Sequence, residues 1–312
     1  MKSIGLIISH KTPKDTISTI IQADKKGVET VWSTSGGLGP DLLTYYAAAA
    51  VQTKQIKFGT SIVPILPRHP SVLIAQAIVL ENLAPGRLRL GIGPSHKSSM
   101  ENILGLNFEH ALGKLEEYVA ILRLALWEGK IDFSGDYYTM HNLSLPSRIT
   151  PPKTPILISA LREKAFFLAG EISDSAISWM CPMDYLVKIA LPAMKKGAKA
   201  KKRSIPPLIA HVPVVFSDDF GKVLEASRTQ LGRYGKMPFY AGMFSDAGFP
   251  VGKNGELSDE LIEDLVVYGT ASTIKEKLEK IFQRGIDEIL VLPVSISDQV
   301  KEENALMDLI TS

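Results

Sequence analysis

Hydrophobic and polar positions along this chain alternate between short apolar runs and longer amphipathic segments. The short runs are rich in β-branched residues and end near Gly, Pro or Ser, a pattern typical of buried strands. They lie at residues 3–8, 28–32, 56–65, 87–93, 154–159, 174–180, 206–216 and 286–294. Helical spacing of apolar residues predicts helices at 15–27, 41–52, 69–83, 109–126, 162–172, 182–200, 218–234, 272–285 and 298–310.

This alternation predicts an α/β fold, because strands that are joined by helices pair in parallel. Eight units in 312 residues average about 39 residues each, which suits a single (β/α)8 TIM barrel with insertions. We expect residues 1–312 to form one domain, with a hairpin insertion at about 127–148 and an irregular one at about 235–260. A doubly wound sheet is the rival, but no third glycine opens a helix after Gly91 and Gly93.

The composition narrows the function classes. Hydrophobic residues make up 45% of the chain and the net charge is +2, so neither nucleic acid nor an anionic membrane is an expected partner. The single cysteine, Cys181, excludes an internal disulfide, and the apolar run at the start is too short for a signal peptide. We therefore expect a cytoplasmic protein. Residues 1–100 hold 11 basic and 5 acidic side chains, an excess that favours an anion site in this part.

The residues that follow the predicted strands limit the chemistry, because active sites of β/α barrels lie there. These positions hold few carboxylates, which argues against a two-carboxylate glycosidase. The six histidines show no metal-ligand spacing, so no metal is expected, and Ser95 lies outside any GxSxG motif. The Gly, Ser and apolar residues that remain suit a flat, uncharged ring with a phosphate on backbone donors.

Residues 60–97 carry the most specific motifs. They include Gly59-Thr60-Ser61-Ile62, Arg68-His69-Pro70, Leu83-Ala84-Pro85-Gly86-Arg87 and Leu90-Gly91-Ile92-Gly93-Pro94-Ser95-His96. In these motifs, and in later ones such as Trp179-Met180, the chain resembles the bacterial-luciferase-like flavin and deazaflavin oxidoreductases. The endings at 39–41 and 93–96 look most like the branch that uses the 8-hydroxy-5-deazaflavin coenzyme F420, and the FMN monooxygenase branch is the close competitor.

The resemblance implies a luciferase-like barrel, commonly a homodimer, that holds the ring at its mouth and acts on a small-molecule substrate. It implies a non-prolyl cis peptide at Ser61-Ile62, which forms a bulge behind the ring. It also implies cofactor contacts at Gly91, Gly93, Pro94, Ser95 and Trp179, and phosphate contacts at the helix start formed by Ser159, Ala160, Leu161 and Arg162. Arg68, Arg87, Arg89 and Lys97 surround this segment and could account for the basic excess.

His96 is the catalytic candidate, because an imidazole can act as acid or base near neutral pH. It aligns with a glutamate of a sugar-phosphate dehydrogenase of the family, and His10 is a weaker candidate. That relative also has an Asp-His pair after strand two, where this chain has residues 32–35, Trp-Ser-Thr-Ser. The departure casts doubt on a shared substrate, and a barrel that binds a flavin without catalysis is the alternative of another class.

Overall fold

The computed structural model describes residues 3–8 and 12–312, so His10 lies outside the described residues. The strands are β1 (Ser3–Ile7), β2 (Thr30–Ser33), β3 (Lys57–Thr60), β4 (Val63–Pro64), β5 (Leu88–Gly93), β6 (Lys130–Ser134), β7 (Thr139–Ser144), β8 (Ile156–Ser159), β9 (Ser175–Ile177), β10 (Leu208–Val215), β11 (Val267–Tyr268) and β12 (Glu288–Pro293). The helices are α1 (Pro13–Lys26), α2 (Leu42–Ala50), α3 (Pro70–Leu83), α4 (Ala111–Arg123), α5 (Glu163–Ile172), α6 (Met183–Tyr185), α7 (Leu191–Ala200), α8 (Phe220–Leu231), α9 (Pro238–Asp246), α10 (Asp259–Leu265), α11 (Ala271–Gln283) and α12 (Gln299–Thr311).

Eight strands close into a parallel barrel in the order β1, β2, β3, β5, β8, β9, β10 and β12. The circle is completed by β12, which pairs with β1 so that Leu290 lies opposite Gly5, and by the pairing of β9 with β10. Helices alternate with these strands along the chain, and the eight predicted strands are the eight of the barrel. The predicted (β/α)8 barrel is therefore confirmed. None of the described helices combines the length and apolarity that crossing a bilayer requires.

The two predicted insertions differ in outcome. Strands β6 and β7 form the expected antiparallel hairpin, and the Glu117 carboxylate accepts hydrogen bonds from the backbone N–H groups at its turn, between Asp136 and Tyr138. The segment 235–260 is not irregular throughout, because it contains α9. Pro238 suits the first turn of that helix, and Tyr240, Met243 and Phe244 are buried at helical spacing. The prediction that this segment is irregular was wrong, because its aromatic residues follow an ordinary amphipathic pattern.

Trp32, the last residue of the second predicted strand, fills the barrel interior. Its side chain is fully buried with Ile7, Leu157, Ile177, Ile209 and Leu290. The indole fits only because Gly5 and Gly59 carry no side chain, since a Cβ at either position would overlap it. Protein interiors are packed as densely as crystals, so these glycines are required by the volume of the indole.

We predict that Gly59→Ala destabilises the fold by about 1–3 kcal/mol, the usual cost of overpacking a well-packed core. In a Trp32→Leu background the same substitution should cost clearly less, because the smaller side chain leaves room for the methyl group. Gly36→Ala is the matched control, since a Cβ at Gly36 meets no atom within 4 Å. Urea denaturation of the four variants measures these differences. An equal cost of Gly59→Ala in both backgrounds would contradict the packing argument.

Candidate active site

A cleft of about 2110 Å³ lies at the carboxyl ends of the barrel strands. Side chains from inside the barrel, Ile7, Ile62, Ile177, Trp179 and Leu292, give it an apolar floor. Among the described residues, no three His, Cys, Asp or Glu side chains come together to form a metal site. The floor is therefore uncharged and can take a flat hydrophobic ring.

Most of the residues that the sequence nominated line this cleft. They are Ser61, Ile62, Pro94, Ser95, His96, Ser159, Ala160, Leu161, Arg162 and Trp179. Four separate loops or strand ends contribute them, so the fold brings together residues that are up to 118 positions apart, from Ser61 to Trp179. Their contact with a cofactor stays a prediction.

Gly91 and Gly93 lie elsewhere, because they do not line the cleft. A Cβ on Gly91 would overlap the Thr60 carbonyl oxygen, and one on Gly93 would overlap the Ser159 hydroxyl. Both glycines therefore let β5 approach its two neighbouring strands, and this packing shapes the wall that Ser159 presents. The predicted contact of these two glycines with a cofactor stays a prediction.

The peptide bond between Ser61 and Ile62 is cis, as the resemblance implied. It separates β3 from β4 and turns the chain at the cleft wall. The Ser61 N–H donates to the Ser33 carbonyl over 2.9 Å, and the Ile62 carbonyl accepts from the Ser35 N–H over 3.3 Å. These two hydrogen bonds hold the segment against the end of β2 and the loop that follows it.

The start of α5 forms another part of the cleft wall. The Ala160 N–H donates to the Ile177 carbonyl over 2.9 Å, so it is not free to bind a ligand. The N–H groups at the first turn of a helix lack partners within that helix, which leaves those near Glu163 and Lys164 as donors. Arg162 pairs with Asp246 of α9 at 2.6 Å. Phosphate binding at this helix start stays a prediction, with the backbone groups of the first turn as its candidate donors.

The three nominated arginines 68, 87 and 89 have partners within the fold and do not line the cleft, whereas Lys97 does. Arg68 pairs with Asp41 at 2.6 Å, and Asp41 also caps α2 by accepting from the Thr44 N–H. The Arg89 guanidinium lies over the Trp32 ring, 4.8 Å from its centroid, and makes two hydrogen bonds of 2.6 and 2.7 Å to the Glu288 carboxylate. Arg87 donates to the Ala50 carbonyl and to Thr53, and Lys97 pairs with Glu101. Of these cations, Arg89 and Lys97 pair with carboxylates that lie beyond the first hundred residues.

His96 lies on the wall of the cleft, half-buried between two tyrosines. Its ring centroid is 5.7 Å from that of Tyr240 and 6.4 Å from that of Tyr234. Burial lowers the pKa of His96 below its ordinary value of 6.5, and the positive charge of Arg233 lowers this pKa further. The imidazole is therefore neutral at pH 7 and can accept a proton.

Trp179 is held from two sides. Its indole stacks on His211 with ring centroids 3.8 Å apart, and its Nε1 donates to the Tyr234 hydroxyl oxygen over 2.7 Å. Sequence reasoning missed Arg233, Tyr234 and Tyr240, which all line the cleft. The available signal was a pair of tyrosines, Tyr234 at the end of a predicted helix and Tyr240 in the segment predicted to be irregular.

His211 is buried beneath this platform, with 4% of its surface exposed. Burial lowers the pKa of its imidazole to about 3, and the ring Nδ1 accepts from the Met180 N–H at 3.4 Å. Within the described part of the chain, its Nε2 has no hydrogen-bond partner. The ring is therefore a neutral support for Trp179.

We predict that His211 makes the fold less stable in acid. In the unfolded chain a histidine takes up a proton below about pH 6.5, whereas native His211 stays neutral down to about pH 3. The unfolded state therefore binds the extra proton between these two values, and stability falls as the pH falls through that window. Between pH 7 and pH 5 this amounts to about 2 kcal/mol of unfolding free energy.

Urea denaturation at both pH values, on the wild type and on His211→Asn, measures this contribution. The asparagine keeps an acceptor for the Met180 N–H and removes the titrating group. The variant should lose about 2 kcal/mol less between pH 7 and pH 5 than the wild type. The same loss in both proteins would show that His211 does not set this pH dependence.

Comparison with known proteins agrees with this geometry. A family model described as luciferase-like monooxygenase matches residues 4–288. The chain is 30% identical over 232 residues to an F420-dependent glucose-6-phosphate dehydrogenase of Beutenbergia cavernae, covering 69% of this chain and 68% of that protein. This protein therefore belongs to the luciferase-like monooxygenase family and is an oxidoreductase. The resemblance seen in the sequence is confirmed, and the F420-dependent relatives support the deazaflavin branch of the family.

Solved structures show the same fold. An F420-dependent secondary alcohol dehydrogenase in complex with an F420-acetone adduct superposes with a TM-score of 0.82 at 20% identity, covering 99% of this chain and 98% of that one. The oxygenating constituent of 3,6-diketocamphane monooxygenase from Pseudomonas putida, in complex with FMN, gives 0.75 at 18% identity, with coverage of 99% and 96%. Both flavin and deazaflavin proteins thus share this barrel.

Proposed function

We propose that the protein is an F420-dependent oxidoreductase that transfers a hydride between the coenzyme and a small organic substrate at the barrel mouth. The observation that carries this proposal is the neutral His96 imidazole beside an uncharged, apolar cleft floor. The F420-dependent relative supports the choice of coenzyme.

The residues of the cleft fit a deazaflavin. The apolar floor, with Ile62 and Trp179, would contact the ring, and the first turn of α5 with Lys164 would hold the phosphate. When bound, a deazaflavin supplies hydride exchange at one ring carbon and cannot easily activate oxygen. The protein then has to orient the substrate, exclude water and handle one proton.

His96 is the group that we assign to this proton. Because its imidazole is neutral at pH 7, a ring nitrogen can take the proton of a substrate hydroxyl, and the protonated ring can return it in the opposite direction. Tyr234 and Tyr240 pack beside it and hold the ring at the cleft wall.

We predict saturable binding of F420 and much weaker binding of FMN when the purified protein is titrated with each coenzyme and its fluorescence is followed. Lys164→Glu should weaken F420 binding about five- to tenfold, because it reverses a charge at the helix end that faces the phosphate. Lys199→Glu, an equal change on the exposed end of α7, is the matched control.

Three outcomes decide between the candidate functions. Tight FMN binding without affinity for F420 would replace this proposal with an FMN monooxygenase, which the FMN-bound structural neighbour supports. Bound F420 that no alcohol or sugar phosphate reduces would favour the barrel without catalysis. If Lys164→Glu leaves the affinity for F420 unchanged, the phosphate binds elsewhere.

We also propose that two copies associate through the outer faces of α2 and α3. Residues 42–53 and 69–80 contain no charged side chain, and the single acid of α3, Glu81, is buried and hydrogen-bonded to Thr154 over 2.6 Å. The exposed positions include Val51, Val72, Val79 and Leu83. An uncharged apolar face of this kind is complementary to a second copy of itself.

We predict that the wild type has about twice the 34.1 kDa mass of the chain in sedimentation or light-scattering experiments. Val79→Glu should shift it to the monomer mass, because it places an unpaired charge within the apolar interface. Gln283→Glu adds the same charge on the exposed face of α11 and should leave the mass unchanged. A monomeric wild type would overturn the proposal.

A further inference from the structure

The charges that line the cleft are unevenly paired. The cleft is lined by the cations Lys97, Arg162, Lys164 and Arg233 and by the carboxylates Glu101, Glu163 and Asp246. Each carboxylate has a cationic partner: Lys97 for Glu101 at 3.7 Å, Lys196 for Glu163 at 3.9 Å and Arg162 for Asp246 at 2.6 Å. Among the described residues, Lys164 and Arg233 have no carboxylate partner.

Arg233 is fixed in place although it has no counter-ion. Its guanidinium lies 5.0 Å from the centroid of the Tyr234 ring, and Nη2 donates to the Tyr234 hydroxyl oxygen over 3.2 Å. Among residues 3–8 and 12–312 it forms no ion pair, and the remaining five residues of the sequence contain no Asp or Glu. A guanidinium that lines a cleft and has no carboxylate partner of its own can pair with an anionic ligand.

Tyr234 gives an independent indication of a ligand. Its side chain is 5% exposed, and its hydroxyl oxygen accepts hydrogen bonds from Trp179 Nε1 and from Arg233 Nη2. Indole and guanidinium groups can only donate, so both contacts use the lone pairs of the phenol oxygen. The hydroxyl proton then remains to be donated, and the cleft that Tyr234 lines is where an acceptor can lie.

We propose that Arg233 and Tyr234 form an oxyanion subsite that binds the carboxylate or phosphate of the substrate. The subsite combines the unused guanidinium N–H groups with the phenolic O–H, which together suit two oxygens of one anion. The assignment of this anion to the substrate rests on the proposed function.

The subsite is built on a different element from the expected phosphate site of the coenzyme. Lys164 lies in the first turn of α5, whereas Arg233 follows α8, and its charge adds to the effect of burial in lowering the pKa of His96. The two unpaired cations thus come from different elements of the cleft wall. One serves the coenzyme end, and the other holds the substrate beside the group that exchanges its proton.

Calorimetric titration of the F420-loaded protein with inorganic phosphate, and separately with acetate, in a buffer free of other oxyanions tests the subsite. We expect saturable binding that weakens about tenfold or more in Arg233→Gln, because a charge-assisted hydrogen bond is lost. Tyr234→Phe removes only the phenolic donor and should weaken binding by a smaller factor. Arg228→Gln, an arginine of α8 that pairs with Asp259 away from the cleft lining, should leave the affinity unchanged.

Each result decides the proposal. Equal affinity in the wild type and in Arg233→Gln would show an adventitious ion only and would overturn the subsite. Phosphate that binds the coenzyme-free protein but is expelled by F420 would assign Arg233 to the coenzyme and would also overturn it. If F420 does not bind while phosphate binding still depends on Arg233, the oxyanion subsite stands and the coenzyme assignment falls.

Discussion

The structure depends on filling the interior of a closed eight-stranded barrel. The Trp32 indole occupies much of that space, and it fits because Gly5 and Gly59 leave room on the two adjacent strands. Arg89 lies over the same indole and is itself fixed by Glu288. A packed interior supports the floor of the cleft, because the isoleucines and Trp179 that form this floor rest on close-packed side chains.

The filled interior also explains how a cleft with an apolar floor can keep a few charged groups at defined positions. Trp179 is supported by His211 on one face and tied by Nε1 to Tyr234, which in turn contacts Arg233. The position of one cleft cation therefore depends on a chain of contacts that begins in the barrel core. Each member of this chain is neutral or a donor, so no carboxylate competes with a ligand for Arg233.

The sequence was sufficient for the barrel because strands and helices alternate with clear periods, and each run of apolar residues marks one strand. It was also sufficient for the strand ends that line the cleft, since motifs such as 90–96 lie within a few residues of them. The partners in ion pairs could not be predicted from the sequence. Arg89 meets Glu288 across 199 positions, and nothing in the local pattern of either residue indicates the other. Tyr234 and Tyr240 were missed for a similar reason, because tertiary packing rather than a motif brings α9 and the segment before it to the cleft.

The end of β2 shows why we assign the proton to another part of the mouth. In place of an Asp-His pair the chain has Ser33 here, which is buried and donates its hydroxyl to the Ile8 carbonyl over 2.9 Å. That hydroxyl is used within the fold, so we propose that His96 handles the proton. Burial lowers the pKa of His96, and the uncompensated charge of Arg233 lowers it further. An oxyanion on Arg233 would offset this charge and make His96 a better proton acceptor, so substrate binding and proton transfer would be coupled through a single guanidinium.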